Sequence, residues 1–326
     1  MLTISSTYSC AAGYAAVKEF FNSLCKETQS PVALHLLKSD DLEISRFRIR
    51  PEDYTSATLF RNDYLLSSIL SKWKGLKTGV DTKQVALSAF EKQEVTCASV
   101  NRRLRQCNSS LVDPIIHRAQ RVVANVLGPF DLAKMRGLER WGPGASTDLR
   151  RSAAYLDTKM TKLPIPVTRE ARQYLKPVIE QDLHWSYSVL GIMPDGPYSL
   201  LPHNFIVVEG SFITTVPKSA KTDRTIAIEP RGNMFLQKGF GNYLRRKLRK
   251  NGIDLDDQSL NQRLASIAHT SSLSTIDLSM ASDSISEQLV FELLPIEWAL
   301  YLNEIRSKSY SVDGVNYTRF QNSFWI

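Results

Sequence analysis

Two carboxylates separated by a short run of small residues are the first feature of the sequence that could do chemistry. They are Asp277 and Asp283, in the stretch STIDLSMASDS at residues 274–284. A carboxylate placed at the end of a buried strand can bind a hard cation such as Mg²⁺ through oxygen. The same pattern is also typical of a plain turn or helix cap. This stretch alone therefore leaves both interpretations open.

The residues around these carboxylates predict a strand, a turn and a helix. Residues 273–278 are typical of a short strand that would carry Asp277 at its end, and Asp283 falls on the following turn. Ser284 and Glu287 fit a Ser-x-x-Glu capping box. The apolar residues that follow recur at three- and four-residue spacing, and Pro295 ends the helix.

A second feature is a concentration of positive charge upstream. The chain carries 41 Lys+Arg against 33 Asp+Glu, a net charge of +8. Between residues 216 and 250 ten basic residues oppose two acidic ones, so this segment holds the whole excess. Such a segment favours a polyanion, most simply nucleic acid or nucleotide phosphate. The alternative is a solvated helix face.

Three cations at the start of this basic segment could surround one triphosphate. Lys218, Lys221 and Arg224 are spaced three apart beside a β-type run at residues 225–228. Ammonium and bidentate guanidinium groups both pair well with phosphate. Residues 231–250 then predict an amphipathic helix with a basic outer face.

The rest of the chain is predicted to be largely helical before residue 184. Helices are expected at residues 15–25, 59–73, 81–91, 114–127 and 169–183. Other features are expected as follows: a strand or extended arm at 43–50, a weaker basic patch at 101–106, a tight loop at 140–147, a linker at 164–167, a turn-rich stretch at 193–202, and a hairpin formed by 204–208 and 211–216. The loop at 140–147 could contact RNA through its backbone or be a plain turn.

Composition excludes several classes of protein. Apolar residues make up 43% and charged residues 23%, which is typical of a globular protein. No apolar run reaches the length of a membrane helix, and the N-terminus lacks the positive region of a secretory signal. The four cysteines and five histidines are too scattered to predict a disulfide framework or a zinc site. A reducing cytoplasm is therefore expected.

These residues resemble a known family over residues 215–313. The matching motifs, in order, are Thr-Val-Pro-Lys with a following Asp-Arg, Leu-Gln-Lys-Gly, Arg-Arg-Lys-Leu, Asn-Gln-Arg-Leu-Ala, Ile-Asp-Leu-Ser-x-Ala-Ser-Asp-Ser and Val-Asp-Gly. In them the chain resembles the replicase β-subunit, the RNA-directed RNA polymerase, of the single-stranded RNA bacteriophages (leviviruses). The resemblance implies an α+β right-hand polymerase fold. Residues 1–255 would form the fingers and N-terminal region, with the nucleotide- and template-binding segment at 215–250, and residues 256–326 would begin the palm.

The resemblance also implies roles for individual residues and partners. Asp277 matches the first carboxylate of polymerase motif A, a ligand of Mg²⁺, with Mn²⁺ or Ca²⁺ as alternatives. Asp283 matches the second acid, near the ribose of the incoming nucleotide. Lys218, Lys221 and Arg224 match cations that bind the triphosphate and template. The implied partners are an RNA template, nucleoside triphosphates, host elongation factors Tu and Ts, and ribosomal protein S1, in the cytoplasm of a bacterial host without membrane attachment.

The sequence departs from the family pattern after residue 313. The family continues with Met-Gly-Asn-Gly-Phe and then Tyr-Gly-Asp-Asp, and neither occurs in these 326 residues. The rest of the palm and the thumb are therefore expected to be missing. The pairs Asp40-Asp41 and Asp256-Asp257 precede Asp277, which is the wrong order for the missing carboxylates.

Three functions follow from this comparison. The first is RNA-directed RNA polymerisation. The second is RNA binding without catalysis, which we expect of these 326 residues by themselves. The third is an unrelated carboxylate–metal phosphotransferase or nuclease, which the order of the motifs disfavours. We also expect the strand of Asp277 to lack sheet partners and to promote association of the chain.

Overall fold

The fold of the chain was obtained as a computed structural model. It describes residues 10–71, 73–106, 113–189, 204–268, 270–274 and 276–322. The predicted turn-rich stretch at 193–202 lies outside them. The described chain divides into two compact units. One comprises Met1–Phe90 with Thr215–Ile226, and the other Glu91–Thr214 with Ala227–Ile326.

Helices predominate among the described residues, as predicted. They are α1 (Cys10–Thr28), α2 (Pro31–Lys38), α3 (Asp41–Arg46), α4 (Ala57–Ile69), α5 (Thr82–Gln106), α6 (Asp113–Leu127), α7 (Leu156–Thr161), α8 (Arg169–Gln181), α9 (Arg231–Lys250), α10 (Ser259–Ser266), α11 (Glu287–Leu293) and α12 (Ile296–Ile305). The strands are β1 (Ile165–Val167), β2 (Phe205–Val207), β3 (Ser211–Pro217), β4 (Asp223–Ile228), β5 (Ser309–Ser311) and β6 (Thr318–Arg319). This composition is that of an α+β protein. Within the described residues, no helix is long and apolar enough to cross a membrane.

In the first unit, a small core forms where α1, α2 and α4 pack on one another. Phe21, Leu36 and Leu66 are buried there. Ser30 begins α2 as its N-cap, because its hydroxyl accepts from the amide of Ala33 at 3.0 Å. The same hydroxyl donates to the buried carboxylate of Asp63 at 2.5 Å. A polar cap thereby ties α2 to α4.

In the second unit, α9 lies at the centre of the core. It packs against β1, α6, α8 and α12, and its predicted inner face is confirmed, since Leu236, Phe240 and Tyr243 are buried. Trp298 of α12 stacks on Tyr243 with ring centroids 5.7 Å apart. The amphipathic pattern therefore places the apolar face in the core and leaves the basic face outside.

The strands pair differently from the predicted hairpin. The residues of β2 pair in parallel with β1, with Ile165 opposite Phe205, whereas β3 lies between β4 and β5 in a second sheet, ordered β4-β3-β5-β6. The hairpin is thus formed by β3 and β4, around the basic turn itself.

The prediction of a linker at 164–167 was wrong, because Ile165 and Val167 are buried and belong to β1.

Two further local predictions were wrong. Residues 41–46 form α3, in which Asp40 and Glu43 make a reciprocal capping box, so only the four residues after Arg46 are extended. The described residues of 273–278 form no strand. Ile276 and Leu278 are 83% and 71% exposed, and an alternating pattern cannot form a strand without a partner to pair with.

Candidate functional site

The β3–β4 hairpin carries all three predicted phosphate-binding cations. Lys218 directly follows β3, Lys221 lies in the turn, and Arg224 lies in β4. The turn closes through a hydrogen bond from the amide of Ser219 to the carbonyl of Thr222, at 3.1 Å. Thr215 donates to Asp223 across the hairpin at 2.9 Å. The turn and the cross-strand bond hold the three cations on one short, well-defined element.

The tip of the hairpin is fixed to the first unit by both apolar and polar contacts. Ala220 is buried in the core of that unit, and its carbonyl accepts a hydrogen bond from the hydroxyl of Thr78 at 2.7 Å. Thr225 donates to the carbonyl of Ala86 at 3.2 Å. The chain is therefore held in the first unit on both sides of Lys221.

Lys221 shares its surroundings with two arginines that the sequence did not assign to the site. Its side chain is half-buried, and burial lowers the pKa of its ammonium group. The positive charges of Arg48 and Arg46 lower that pKa further. Like charges that gather in a partly desolvated place favour binding of an anion, because the anion relieves their repulsion. Lys218 and Arg224 are exposed beside them.

The sequence does contain a pattern at these arginines, but that pattern predicts a strand or an extended arm and not a phosphate-binding site. Arg46, Arg48 and Arg50 alternate with apolar residues, which predicted a strand or an extended arm. The Arg48 guanidinium donates to the carbonyls of Ser45 and Phe47, at 3.3 and 2.5 Å. These bonds to its own segment fix the arginine after the end of α3. A strand interpretation offered no way to predict that the segment lies near Lys221.

The stretch at residues 274–284 that carries Asp277 and Asp283 is called the acidic segment below, and its Asp283 end is anchored in the second unit. Asp283 is half-buried and lies in a short 3₁₀ turn at Ser282–Ser284. Its carboxylate accepts from the hydroxyl of Ser282 at 2.9 Å, and its carbonyl accepts from the thiol of Cys97 on α5 at 3.3 Å. Burial raises the pKa of that thiol, which keeps it protonated as a donor. The predicted helix follows as α11, with Ser286 rather than Ser284 as its N-cap.

A buried glutamate that the sequence did not single out lies close to this turn. Glu94 of α5 accepts from the amides of Gln321 and Asn322, at 2.8 and 3.2 Å. Its pKa is raised, mainly by burial and in small part by the charge of Asp283. Because both of its oxygens are used by backbone amides, Glu94 holds the chain end of the described region in place rather than offering a free carboxylate.

The Asp277 end of the same segment is exposed and makes few contacts with the rest of the second unit. Asp277 is exposed and, within the described residues, accepts no hydrogen bond and forms no ion pair. The carboxylate chemistry suits Mg²⁺. However, no group of three or more His, Cys, Asp or Glu side chains in the described part of the chain could hold a metal.

The glycine-rich loop at 140–147 is organised around a buried lysine. The ammonium group of Lys159 donates to the carbonyls of Gly142 and Gly144, at 2.5 and 2.7 Å. Gly144 has φ +113°, a conformation that glycine adopts without strain. The close approach predicted for this backbone is thus made to Lys159, which supports the structural interpretation of the loop.

Comparison with known proteins gives one consistent result. The family described as "RNA replicase, beta-chain" matches residues 24–322. The "RNA-directed RNA polymerase subunit beta" of Escherichia virus Qbeta is 38% identical over 272 residues, which are 80% of this chain and 42% of that protein. The "RNA-directed RNA polymerase beta chain" of Enterobacteria phage fr is 32% identical over 303 residues, 90% of this chain and 53% of the relative. The beta chain of Escherichia phage MS2 is 53% identical over a shorter stretch of 113 residues. The chain spans about half the length of the relatives it matches, or less.

Proposed function

The chain belongs to the RNA replicase beta-chain family, and from that membership we propose that it is part of an RNA-directed RNA polymerase that replicates a phage RNA genome. The observation that carries the proposal is the family match, which runs through both the cationic hairpin and the acidic segment. The relatives from Qbeta and fr bear that activity in their names. A right-hand arrangement, with residues 1–255 as fingers and 256–326 as the beginning of the palm, is part of the proposal.

In this proposal the hairpin binds phosphate groups of the incoming nucleotide and of the template. Lys218, Lys221 and Arg224 supply the charge, and we add Arg46 and Arg48 to them because their charges act on Lys221. A triphosphate bound here would neutralise the gathered cations, and guanidinium groups would pair with its oxygens in bidentate fashion. Anchoring of the turn would reduce the entropy lost when the phosphates bind.

The roles of the two aspartates are likewise proposals. Asp277 would be a ligand of Mg²⁺ or Mn²⁺, and Asp283 would lie near the ribose of the incoming nucleotide. When bound, the metal would offset the charge that develops on the reacting phosphate. Within the family the implied partners are the RNA template, nucleoside triphosphates, elongation factors Tu and Ts, and ribosomal protein S1.

A second candidate function is favoured by a specific observation. The described residues bring together no group of three metal-binding side chains, so a metal bound at Asp277 would depend on further ligands from water or substrate phosphates. We therefore propose that these 326 residues, purified by themselves, bind RNA and nucleotides without polymerising. Asp277-dependent incorporation of nucleotides by this polypeptide, with Mg²⁺ or Mn²⁺ and an RNA template, would refute that part of the proposal.

Phosphate binding at the hairpin is tested with a double variant and a matched control. K221Q/R46Q removes two gathered cations, whereas K83Q/K92Q removes two exposed lysines of α5. We expect K221Q/R46Q to weaken binding of labelled GTP about tenfold, a loss on the order of one charge-assisted hydrogen bond, and K83Q/K92Q to leave it within about twofold. Equal affinities for the two double variants would refute the assignment of the hairpin.

A further inference from the structure

The C-terminal half of α9 carries a second group of cations. They fall in the segment 215–250 that the resemblance links to nucleotide and template binding, but no role has been given to them individually. Two depressions adjoin one another along this part of the helix. The first, of about 340 Å³, is lined by Lys134, Tyr243, Arg246, Lys247 and Lys250. The second, of about 190 Å³, is lined by Leu138, Arg140, Asn242, Arg245, Arg246, Arg249 and Asp256. We call these depressions together the α9 trough. All of these residues belong to the second unit.

The floor of the trough is rigid because it is built on the core. Tyr243 is buried and stacks on Trp298, and Asn242 donates to the carbonyl of Leu138 at 2.8 Å. Lys247 lies with its ammonium group 5.4 Å from the centroid of the Tyr243 ring. These contacts fix the direction of the helix surface from which the neighbouring cations project.

Some of the cations are paired with carboxylates of the loop that follows α9. Arg249 contacts Asp254 at 2.9 Å and Asp256 at 2.7 Å, and Arg245 contacts Asp256 at 2.8 Å. The arginine side chains remain 56% and 46% exposed. Exposed ion pairs contribute little to stability and exchange easily with solvent or with another anion. These carboxylates therefore pair only weakly with the arginines, and another anion can displace them.

Lys134 pairs with Asp131 at 2.9 Å, whereas Arg246 and Lys250 have no acidic partner in the described part of the chain. Arg246 and Lys250 are exposed and lie four residues apart, so their side chains leave the helix on one face, about 6 Å apart. Arg246 lines both depressions. Two cations without acidic partners therefore lie beside Arg245 and Arg249, which are only weakly paired. This row of charges complements an anion of repeated charge better than a single small anion.

From this arrangement we propose that the α9 trough binds the phosphate backbone of RNA, and that Asp254 and Asp256 set its affinity by competing for Arg245 and Arg249. The proposal rests on the proposed function only in naming RNA as the polyanion. The contact is made to the backbone, since Tyr243, the aromatic residue of the floor, is only 6% exposed and is not accessible for stacking by a base. Binding should accordingly depend on salt and little on sequence.

Two variants of opposite expected effect test the trough. R246Q/K250Q removes the unpaired cations, and D254N/D256N frees the paired arginines while keeping an oxygen to accept the amide of Asp256. Binding of a labelled single-stranded RNA of about 20 nucleotides would be followed by fluorescence anisotropy across a salt series. We expect R246Q/K250Q to bind about tenfold more weakly, with a log–log salt slope smaller by about 1.4, since each phosphate contact contributes about 0.7. D254N/D256N should bind more tightly than the unaltered chain.

Matched controls separate the trough from a general effect of net charge. K83Q/K92Q loses the same charge as R246Q/K250Q, and E19Q/E52Q gains the same charge as D254N/D256N, all at exposed positions. The proposal fails if either variant behaves as its control does. It also fails if polyglutamate displaces the RNA at equal concentration of charge, because the trough would then suit acidic protein segments.

The outcomes also distinguish this inference from the proposed function. If K221Q/R46Q weakens GTP binding but R246Q/K250Q leaves RNA binding unchanged, the trough is refuted and the hairpin stands. If R246Q/K250Q weakens RNA binding and K221Q/R46Q has no effect on GTP, the hairpin is refuted and the trough stands. Because D254N/D256N is expected to gain affinity, loss of folding cannot imitate its result.

Discussion

Two charged regions of the second unit differ sharply in the burial and the hydrogen bonding of their charged side chains. Around Arg231 the cation is buried and largely engaged, since its guanidinium donates to the carbonyls of Lys159, Lys162 and Pro164, at 2.6, 2.7 and 3.1 Å, while its Nε has no hydrogen-bond partner among the described residues. It also lies 3.1 Å from the carboxylate of Asp148. Around Asp277 the chain is exposed and the carboxylate is unpaired within the described residues.

The difference distinguishes charged groups that stabilise the fold from charged groups that are accessible to a ligand. Burying an ion costs several kcal/mol, so a buried cation persists only where carbonyls and a carboxylate replace its water. The Arg231 region meets that condition by linking α9 to the backbone that leads into β1. A carboxylate that binds a metal or a nucleotide must instead remain accessible, and Asp277 does. In these two regions, burial of a charge therefore accompanies a structural role, whereas exposure leaves a charge available to a ligand.

The largest effect is expected from removing the buried guanidinium. R231M would remove the donor from three carbonyls and the guanidinium that pairs with Asp148, which would keep, among the described residues, only Ser146 at 2.8 Å and Lys162 at 3.6 Å. Breaking a buried pair in this way costs about 3–5 kcal/mol of the free energy of unfolding. Arg245, an exposed arginine of the same helix, provides the control. R245M should change the free energy of unfolding by about 0.5 kcal/mol or less. Equilibrium unfolding in urea would measure both. Similar values for the two variants would contradict the distinction between the regions.

A smaller, pH-dependent effect is expected at Glu229, two residues before Arg231 in sequence. Burial raises the pKa of this carboxyl above its ordinary value of 4.5; Oε2 accepts from Ser307 at 2.7 Å, whereas the buried Oε1 has no hydrogen-bond partner among the described residues. Above pH 4.5 the unfolded carboxyl loses its proton while the folded one keeps it, so the free energy of unfolding falls as pH rises toward the folded pKa.

The variant E229Q, neutral at every pH, tests this dependence. We expect its free energy of unfolding to fall less steeply than that of the unaltered chain as the pH rises from about 5 to about 8. Some slope should remain, because burial also raises the pKa of Glu94. The exposed variant E52Q should keep the original slope. Identical slopes for E229Q and the unaltered chain would show that Glu229 is ionised in the fold.

The smallest effect on stability is expected in the exposed acidic segment. I276S/L278S replaces side chains that are 83% and 71% exposed, so the free energy of unfolding should change by about 0.5 kcal/mol or less. The buried Leu236 of α9 is the contrast, since L236S should cost about 2–5 kcal/mol. A cost above about 2 kcal/mol for I276S/L278S would mean that this segment is part of the folded core.

The same double variant tests the expectation that the segment promotes association. Exposed large apolar side chains close together favour contact with another copy of the chain. Sedimentation velocity should show that I276S/L278S associates less than the unaltered chain at equal concentration. An unaltered chain that stays monomeric would contradict the expectation, whatever the variant does.

The candidate sites were predicted from sequence to different extents. Lys218, Lys221 and Arg224 were predicted to lie close together, and the β3–β4 hairpin carries all three. That hairpin and the neighbouring Arg46 and Arg48 were not predicted. The acidic segment was predicted to be a strand and forms none among its described residues. A turn depends on residues within a few positions, whereas a strand exists only through a partner that local sequence does not identify.

The sequence by itself determined the elements whose signal is local. The bounds of α9 agree with the predicted 231–250, and α6 and α8 lie where apolar spacing and the flanking proline or glycine placed them, because helix period and end signals act within a few residues. Only the tertiary structure decided the rest. It paired 165–167 with 205–207, gathered Arg46 and Arg48 near Lys221, and buried Arg231, because these outcomes depend on which distant surfaces meet and exclude water.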